Sequence, residues 1–168
     1  IEVGKLLGAR VIAAASSAEK LAVARAHGAD ATVNYASKRL RDEVHALTDG
    51  KGVDVVFDPV GGEAFAQSVR CIGWEGRILV IGFASGDIPH VAANMILVKN
   101  FSVTGVVFGE HSWRYPEDTR HRLTVLLAAY SKGHLKPNVI RTYGLADAQT
   151  ALSDMANRRV IGKLVLTR

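Results

Sequence analysis

Residues 8–35 read GARVIAAASSAEKLAVARAHGADATVNY, and this stretch decides the fold class. Ala9–Ala15 is a short apolar run with β-branched Val11 and Ile12 at its centre, and it reads as a strand. Ser17 is a good N-cap for a helix that runs through His27 and stops at Gly28. Ala31–Tyr35 then reads as a second strand. Two short strands joined by one helix make a βαβ unit, which sets the strands parallel with a right-handed crossover.

The same alternation continues toward the C-terminus. A helix is expected from about Ser37 to Leu47, with Leu40, Val44 and Leu47 on one face, and the turn Asp49–Gly52 ends it. Val53–Phe57 reads as a buried strand, and Gly61-Gly62 opens a helix over Glu63–Ile72. Gly76–Gly82 is the most continuously apolar strand, a pattern that implies burial on both faces. A short helix over Ala93–Lys99 leads to a strand over Phe101–Phe108 and a longer helix over about Glu117–Lys132. From Leu135 the character changes to an extended Asn138–Tyr143, a helix over Ala146–Asn157 and a terminal strand over Val160–Leu166. The series predicts an α/β fold built on an open, doubly wound, mostly parallel sheet. In the other direction, Ile1, Val3, Leu6 and Leu7 carry helical spacing, so the sequence opens inside a helix pattern and reads as the continuation of a longer polypeptide.

At 168 residues with 48% hydrophobic and 22% charged, the chain has the size and composition of one ordinary globular domain with its own core. No apolar run approaches the roughly 20 residues needed to cross a bilayer, and no secretory signal pattern is present, so the expected compartment is the cytoplasm. The single cysteine, Cys71, excludes a disulfide framework and a Cys-rich zinc site within the chain. The net charge of +5 is scattered rather than gathered into a basic run with interleaved aromatics, so no nucleic-acid partner is expected. A small polyanionic ligand accounts for the surplus equally well.

Ligands of doubly wound sheets lie across the C-terminal ends of the strands, so the residues that follow each strand are the informative ones. After the first strand come Ser16, Ser17 and, one helical turn on, Lys20. A dinucleotide with a free ribose 2′-hydroxyl usually meets an Asp or Glu here, and none is present. Two hydroxyls and an ammonium beside a helix N-terminus suit a phosphate instead, which favours NADPH over NADH. Ser17 as a plain N-cap and Lys20 as a solvated lysine would leave the same sequence. Tyr35 ends the next strand, where its ring would line the adenosine end of a pocket or simply half-bury in the sheet. Val60 and Gly61 follow the third strand and Gly82, Phe83 and Ala84 the fourth, and both places let backbone approach a flat ligand, as an ordinary turn also would. Val107 and Phe108 close the series, suited either to a nicotinamide ring or to a core strand.

The order of these motifs resembles the quinone-oxidoreductase branch of the medium-chain dehydrogenase/reductase superfamily. The matching residues are Gly8-Ala9 with Ser16–Lys20, His27–Asp30 leading to Tyr35, Gly52–Gly62, Gly76–Ile78 with Gly82-Phe83, and Gly162–Val165. The resemblance covers essentially the whole chain and is specific as an ordered set. It implies a zinc-independent oxidoreductase in which a GroES-like catalytic portion precedes a Rossmann-like NADPH-binding portion. Residues 1–134 would be that portion, lacking its first strand and glycine-rich phosphate turn, and residues 135–168 would return to the catalytic part. Lys20, Ser16 and Tyr35 would then hold the 2′-phosphate, Gly82–Ala84 with Val107 and Phe108 would line the crevice, and Arg158 would contact the cofactor. Homodimerisation through the strand at 101–108 is implied as well.

No catalytic residue and no metal ligand is assigned within the chain. The histidines His27, His45, His90, His111, His121 and His134 show no metal-binding spacing, although His111 and Tyr115 lie near the expected nicotinamide end. A zinc-type alcohol dehydrogenase, an enoyl reductase module and a non-catalytic NADPH-binding protein remain as alternatives, and the identity of the quinone or enone substrate is not readable.

Overall fold

Backbone pairing requires each run of β-branched and small residues to find a parallel partner, and the helices between them supply the crossovers. In the computed structural model, which describes residues 1–37, 39–157 and 159–168, the order begins α1 (Glu2–Leu6), β1 (Ile12–Ala15), α2 (Ala18–Ala26), β2 (Ala31–Asn34) and α3 (Leu40–Leu47). It continues with β3 (Val53–Asp58), α4 (Gly62–Cys71), β4 (Ile72–Val80), α5 (Ala93–Lys99) and β5 (Ser102–Gly105). A helical pair, α6 (Phe108–Arg114) and α7 (Pro116–Ser131), leads to β6 (Val139–Gly144), a 3-10 turn at Leu145–Asp147, α8 (Ala148–Ala156) and β7 (Lys163–Thr167).

The fold is α/β and every strand pair is parallel. Among the described residues the strands form three groups, β1-β2, β3-β4-β5 and β6-β7, rather than one continuous sheet. Among the same residues β1 and β3 each keep one edge without a strand partner, and packing through α3 and α4 joins these two groups. Leu40 and Val44 of α3 and Cys71 at the end of α4 pack with Val33 of β2 into one core cluster. The second cluster puts Phe65 and Val69 of α4 against Ile72 and Ile78 of β4 and Phe101. Burying such side chains stabilises by about 1.5–3 kcal/mol each relative to exposure.

Several sequence expectations shift. β1 starts at Ile12 rather than Ala9, because Ala9 N–H still donates to Gly4 O and the strand pairing begins only after Asp30 N–H reaches Val11 O. α3 begins at Leu40 rather than Ser37. β4 begins at Ile72, with Gly76 packed so closely on the Ile72 side chain that an added Cβ would lie 2.6 Å from it. Burial on both faces does not hold: Ile78 is wholly buried, yet Arg77 is exposed, and on β3 Val55 and Phe57 are exposed, Phe57 at 66%. Packing from α4 and α5 reaches one face of these strands only. The strand expected over 101–108 ends at Gly105: the bond from Val106 N–H to Val80 O is the last of the parallel β4–β5 ladder, and Phe108 begins α6.

Candidate functional site

The C-terminal ends of β1 and β2 lie side by side. Ala15 pairs with Asn34, and Tyr35 N–H donates to Ala15 O at 3.1 Å, so Tyr35 and Ser16 follow neighbouring strand ends. Ser17 caps α2 with extended backbone, its Oγ accepting Lys20 N–H at 3.3 Å. That oxygen therefore serves the helix, and what Ser17 retains for a ligand is its hydroxyl proton. Lys20 is half-buried and lines a cavity of about 310 Å³ with Glu2, Val23, His27, Lys136 and Asn138. Ser16, Ser17 and Tyr35 do not line that cavity.

The ends of β3 and β4 are organised differently. Asp58, the last residue of β3, is 5% exposed. Its Oδ1 accepts Val60 N–H at 2.8 Å and Gly61 N–H at 3.1 Å, while its carbonyl accepts Ile81 N–H at 2.9 Å. Across from it, Ala84 N–H donates to Pro59 O and Ser85 N–H to Val60 O, at 3.1 and 2.9 Å, and Ser85 Oγ reaches Val60 O at 2.7 Å. Gly62 N–H closes the set on Asp87 O. The structure thus brings Val60, Gly61, Gly82, Phe83 and Ala84 into one double loop. The amides of Val60, Gly61 and Ala84 are engaged inside the loop, so what it presents outward is backbone shape and the remaining groups of its rim. Asp58, Ser85 and Asp87 were not singled out from sequence. The Asp-x-x-Gly spacing at 58–61 was the available signal, since Asp side chains cap the turn that follows them.

Beyond β5, Val107 and Phe108 are both exposed, and Phe108 enters a helix instead of extending the strand. One turn further, His111 Nε2 lies 2.8 Å from Asp118 Oδ2, and the His111 and Tyr115 rings are 5.0 Å apart. Asp118 also accepts from Arg122 Nε at 2.6 Å, and first Arg122, then His111, hold its carboxyl below the usual range. These contacts hold α6 against α7. Arg158 lies outside the described residues. A cavity of about 230 Å³ lined by Arg141, Tyr143, Asp154 and Arg159 contains none of the described residues expected to hold the cofactor.

Burial pushes the Cys71 thiol up to about 11, which keeps it protonated and inert. His27 pairs with Glu2 at 2.8 Å, and His45 bonds to the backbone carbonyls of Gly50 and Arg70. Among the described residues no group of three or more His, Cys, Asp or Glu is arranged to hold a metal ion. No helix of the described residues is long and apolar enough to cross a membrane.

The family described as zinc-binding dehydrogenase matches residues 1–123. The chain is 40% identical over 162 residues to a quinone oxidoreductase-like protein 2 homolog of Nematostella vectensis, covering 96% of this chain and 44% of that protein. A quinone oxidoreductase of Pseudomonas syringae superposes with a TM-score of 0.89 at 30% identity, over 99% of this chain and 51% of that one. A mycobacterial protein solved in complex with NADPH superposes with a TM-score of 0.89 at 29% identity, over 99% of this chain and 52% of its own. The chain spans about half the length of the relatives it matches.

Proposed function

Because the chain belongs to the zinc-binding dehydrogenase family, and its fold is that of the Rossmann-like nucleotide-binding portion of medium-chain dehydrogenases/reductases, we propose that it holds NADPH in an oxidoreductase that reduces quinones or enones without catalytic zinc. The observation that carries the cofactor choice is the donor set at the ends of β1 and β2. Ser16 and Ser17 supply hydroxyls just after Ala15 with no acid following it, Tyr35 follows the neighbouring strand end, and Lys20, one turn into α2, would bring its ammonium from the cavity it lines with Glu2 and Lys136. Hydroxyls, a cation and a helix N-terminus suit a 2′-phosphate and would repel nothing on it. The mycobacterial neighbour with bound NADPH supports the same choice.

The double loop at the ends of β3 and β4, with Val107 and Phe108, would receive the nicotinamide half. Bound there, the cofactor supplies a hydride, and this chain's part is to hold it and exclude water. Zinc, which the family's description names, finds no ligand cluster among the described residues, so no zinc ligand is assigned to the chain. The reading is tested on the full-length protein by following NADPH oxidation with a quinone and with an enone, before and after treatment with a chelator. Oxidation that survives chelation is the expected result. Saturable NADPH binding without oxidation would instead make it a non-catalytic binding protein, and loss of turnover on chelation would make it a zinc-type enzyme. We further propose homodimerisation through the outer edge of β5, which has no strand partner among the described residues. A monomeric mass by sedimentation would reject it.

A further inference from the structure

We propose that Asp58 is a positioning residue for the nicotinamide half of the cofactor: its carboxylate, and not the ligand, takes up the N–H groups of Val60 and Gly61 and so fixes the double loop on which that half rests. The inference rests on the reading of a nicotinamide cofactor given above. Asp58 ends β3 at the sheet rim, almost wholly buried, with one oxygen bonded to two successive amides of the turn it begins. This sets the path of 59–60, and the path of 59–60 in turn sets the neighbouring loop. Pro59 O and Val60 O are the acceptors for Ala84 and Ser85, and Ser85 Oγ makes a second bond to Val60 O. Gly82, Phe83 and Ala84 are therefore placed through Asp58, although Asp58 need not touch the cofactor.

The close fit inside the turn shows how little freedom the arrangement leaves. Gly61 has φ +73°, and a Cβ there would lie 2.8 Å from Asp87 O and 3.1 Å from the Phe83 ring. With the carboxylate removed, the buried Gly61 amide and the half-buried Val60 amide lose their acceptor and nothing else described is positioned to replace it. An asparagine at the same place still presents an oxygen to both.

The experiment compares full-length wild-type protein with Asp58→Ala, Asp58→Asn and Ser85→Ala. In the cofactor-free protein, hydrogen exchange of segments 58–62 and 82–87 should quicken in Asp58→Ala, remain near wild type in Asp58→Asn, and leave the segment around Ile78 protected. NADPH and NADH binding, read by nicotinamide fluorescence, should weaken together by about tenfold in Asp58→Ala, the loss expected for a charged acceptor serving buried donors. The ratio of the two affinities should stay unchanged, because the adenosine end is held elsewhere. Ser85→Ala, which removes one strand of the same zipper, should weaken both by a smaller factor and serves if Asp58→Ala does not fold. Asp58→Ala or Ser85→Ala protein that binds both nucleotides like wild type would overturn the proposal alone, as would Asp58→Asn losing as much as Asp58→Ala. Wild-type protein that binds neither nucleotide would overturn the cofactor reading and this inference together.

Discussion

The two candidate ends of the site solve different problems with different parts of the chain. At the ends of β1 and β2 the expected donors are side chains, Ser16, Ser17 and Lys20, carried on a four-residue strand pair with one backbone bond, from Tyr35 to Ala15, tying the exit. At the ends of β3 and β4 the chain is knitted by its own backbone around Asp58, and the polar groups point inward to one another. Side chains of the first kind can select a charge and be exchanged singly. A backbone shelf of the second kind offers shape, and one atom too many disturbs all of it.

The largest expected effect breaks the shelf. Gly61→Ala puts a Cβ 2.8 Å from the Asp87 carbonyl at a φ of +73°. Positive φ and a backbone clash together should destabilise the protein by roughly 2–4 kcal/mol. Gly86 has nearly the same conformation, φ +84°, with nothing within 4 Å of its added Cβ. Gly86→Ala should therefore cost only about 1 kcal/mol, the strain alone. Denaturant unfolding of the two variants separates clash from strain, and equal losses would mean the shelf is no tighter than an ordinary turn.

Next comes the selective end. Lys20→Ala removes one charged donor and should weaken NADPH binding by about tenfold, the scale of a charge-assisted hydrogen bond, while NADH binding changes little. Titration of both nucleotides measures it. Equal losses would show that the lysine, which borders the cavity shared with Glu2 and Lys136, serves that cavity and not a phosphate.

The contrast also explains what could be read from the sequence. The helix α2 with its Ser17 cap and the strands expected at 31–35 and 53–57, found at 31–34 and 53–58, were legible because capping and period are local signals. The end of β5 was not, since Val106-Val107-Phe108 is as apolar as a strand and nothing in it announces the helix that begins at Phe108. Nor were the exposed faces of Val55 and Phe57, because an apolar strand does not say which of its sides finds a helix. The Asp58 zipper needs residues 25 apart to meet, as Val60 and Ser85 do, and no spacing rule announces that.

A smaller loss should follow from Ser17→Ala. The Oγ accepts Lys20 N–H at the first turn of α2, so its removal should cost about 1 kcal/mol of stability. If it lowered NADPH affinity without lowering stability, Ser17 would belong to the ligand before the helix, and the distinction between the two ends would sharpen further.

The smallest effect concerns how the β1–β2 end is held from beneath. Asp30, just before β2, accepts from Lys5 Nζ at 2.7 and 2.8 Å and from Val11 N–H at 2.6 Å, tying α1 to the entry of both strands. Lys5 first, and the Val11 amide second, hold the Asp30 carboxyl below its usual range. A depressed carboxylate contributes stability that is fully present above its unfolded pKa, about 3.9, and is lost as pH falls through the lower folded value. The pair is more than a third exposed, so solvent keeps the contribution small. Asp30→Asn should accordingly lie slightly below wild type in unfolding midpoint near neutral pH and converge with it in acid. In Asp30→Asn near neutral pH, hydrogen exchange should therefore quicken in segments 11–15 and 31–34 and leave 58–62 as in wild type. Simultaneous loosening would show that the two ends are one cooperative unit despite their different construction.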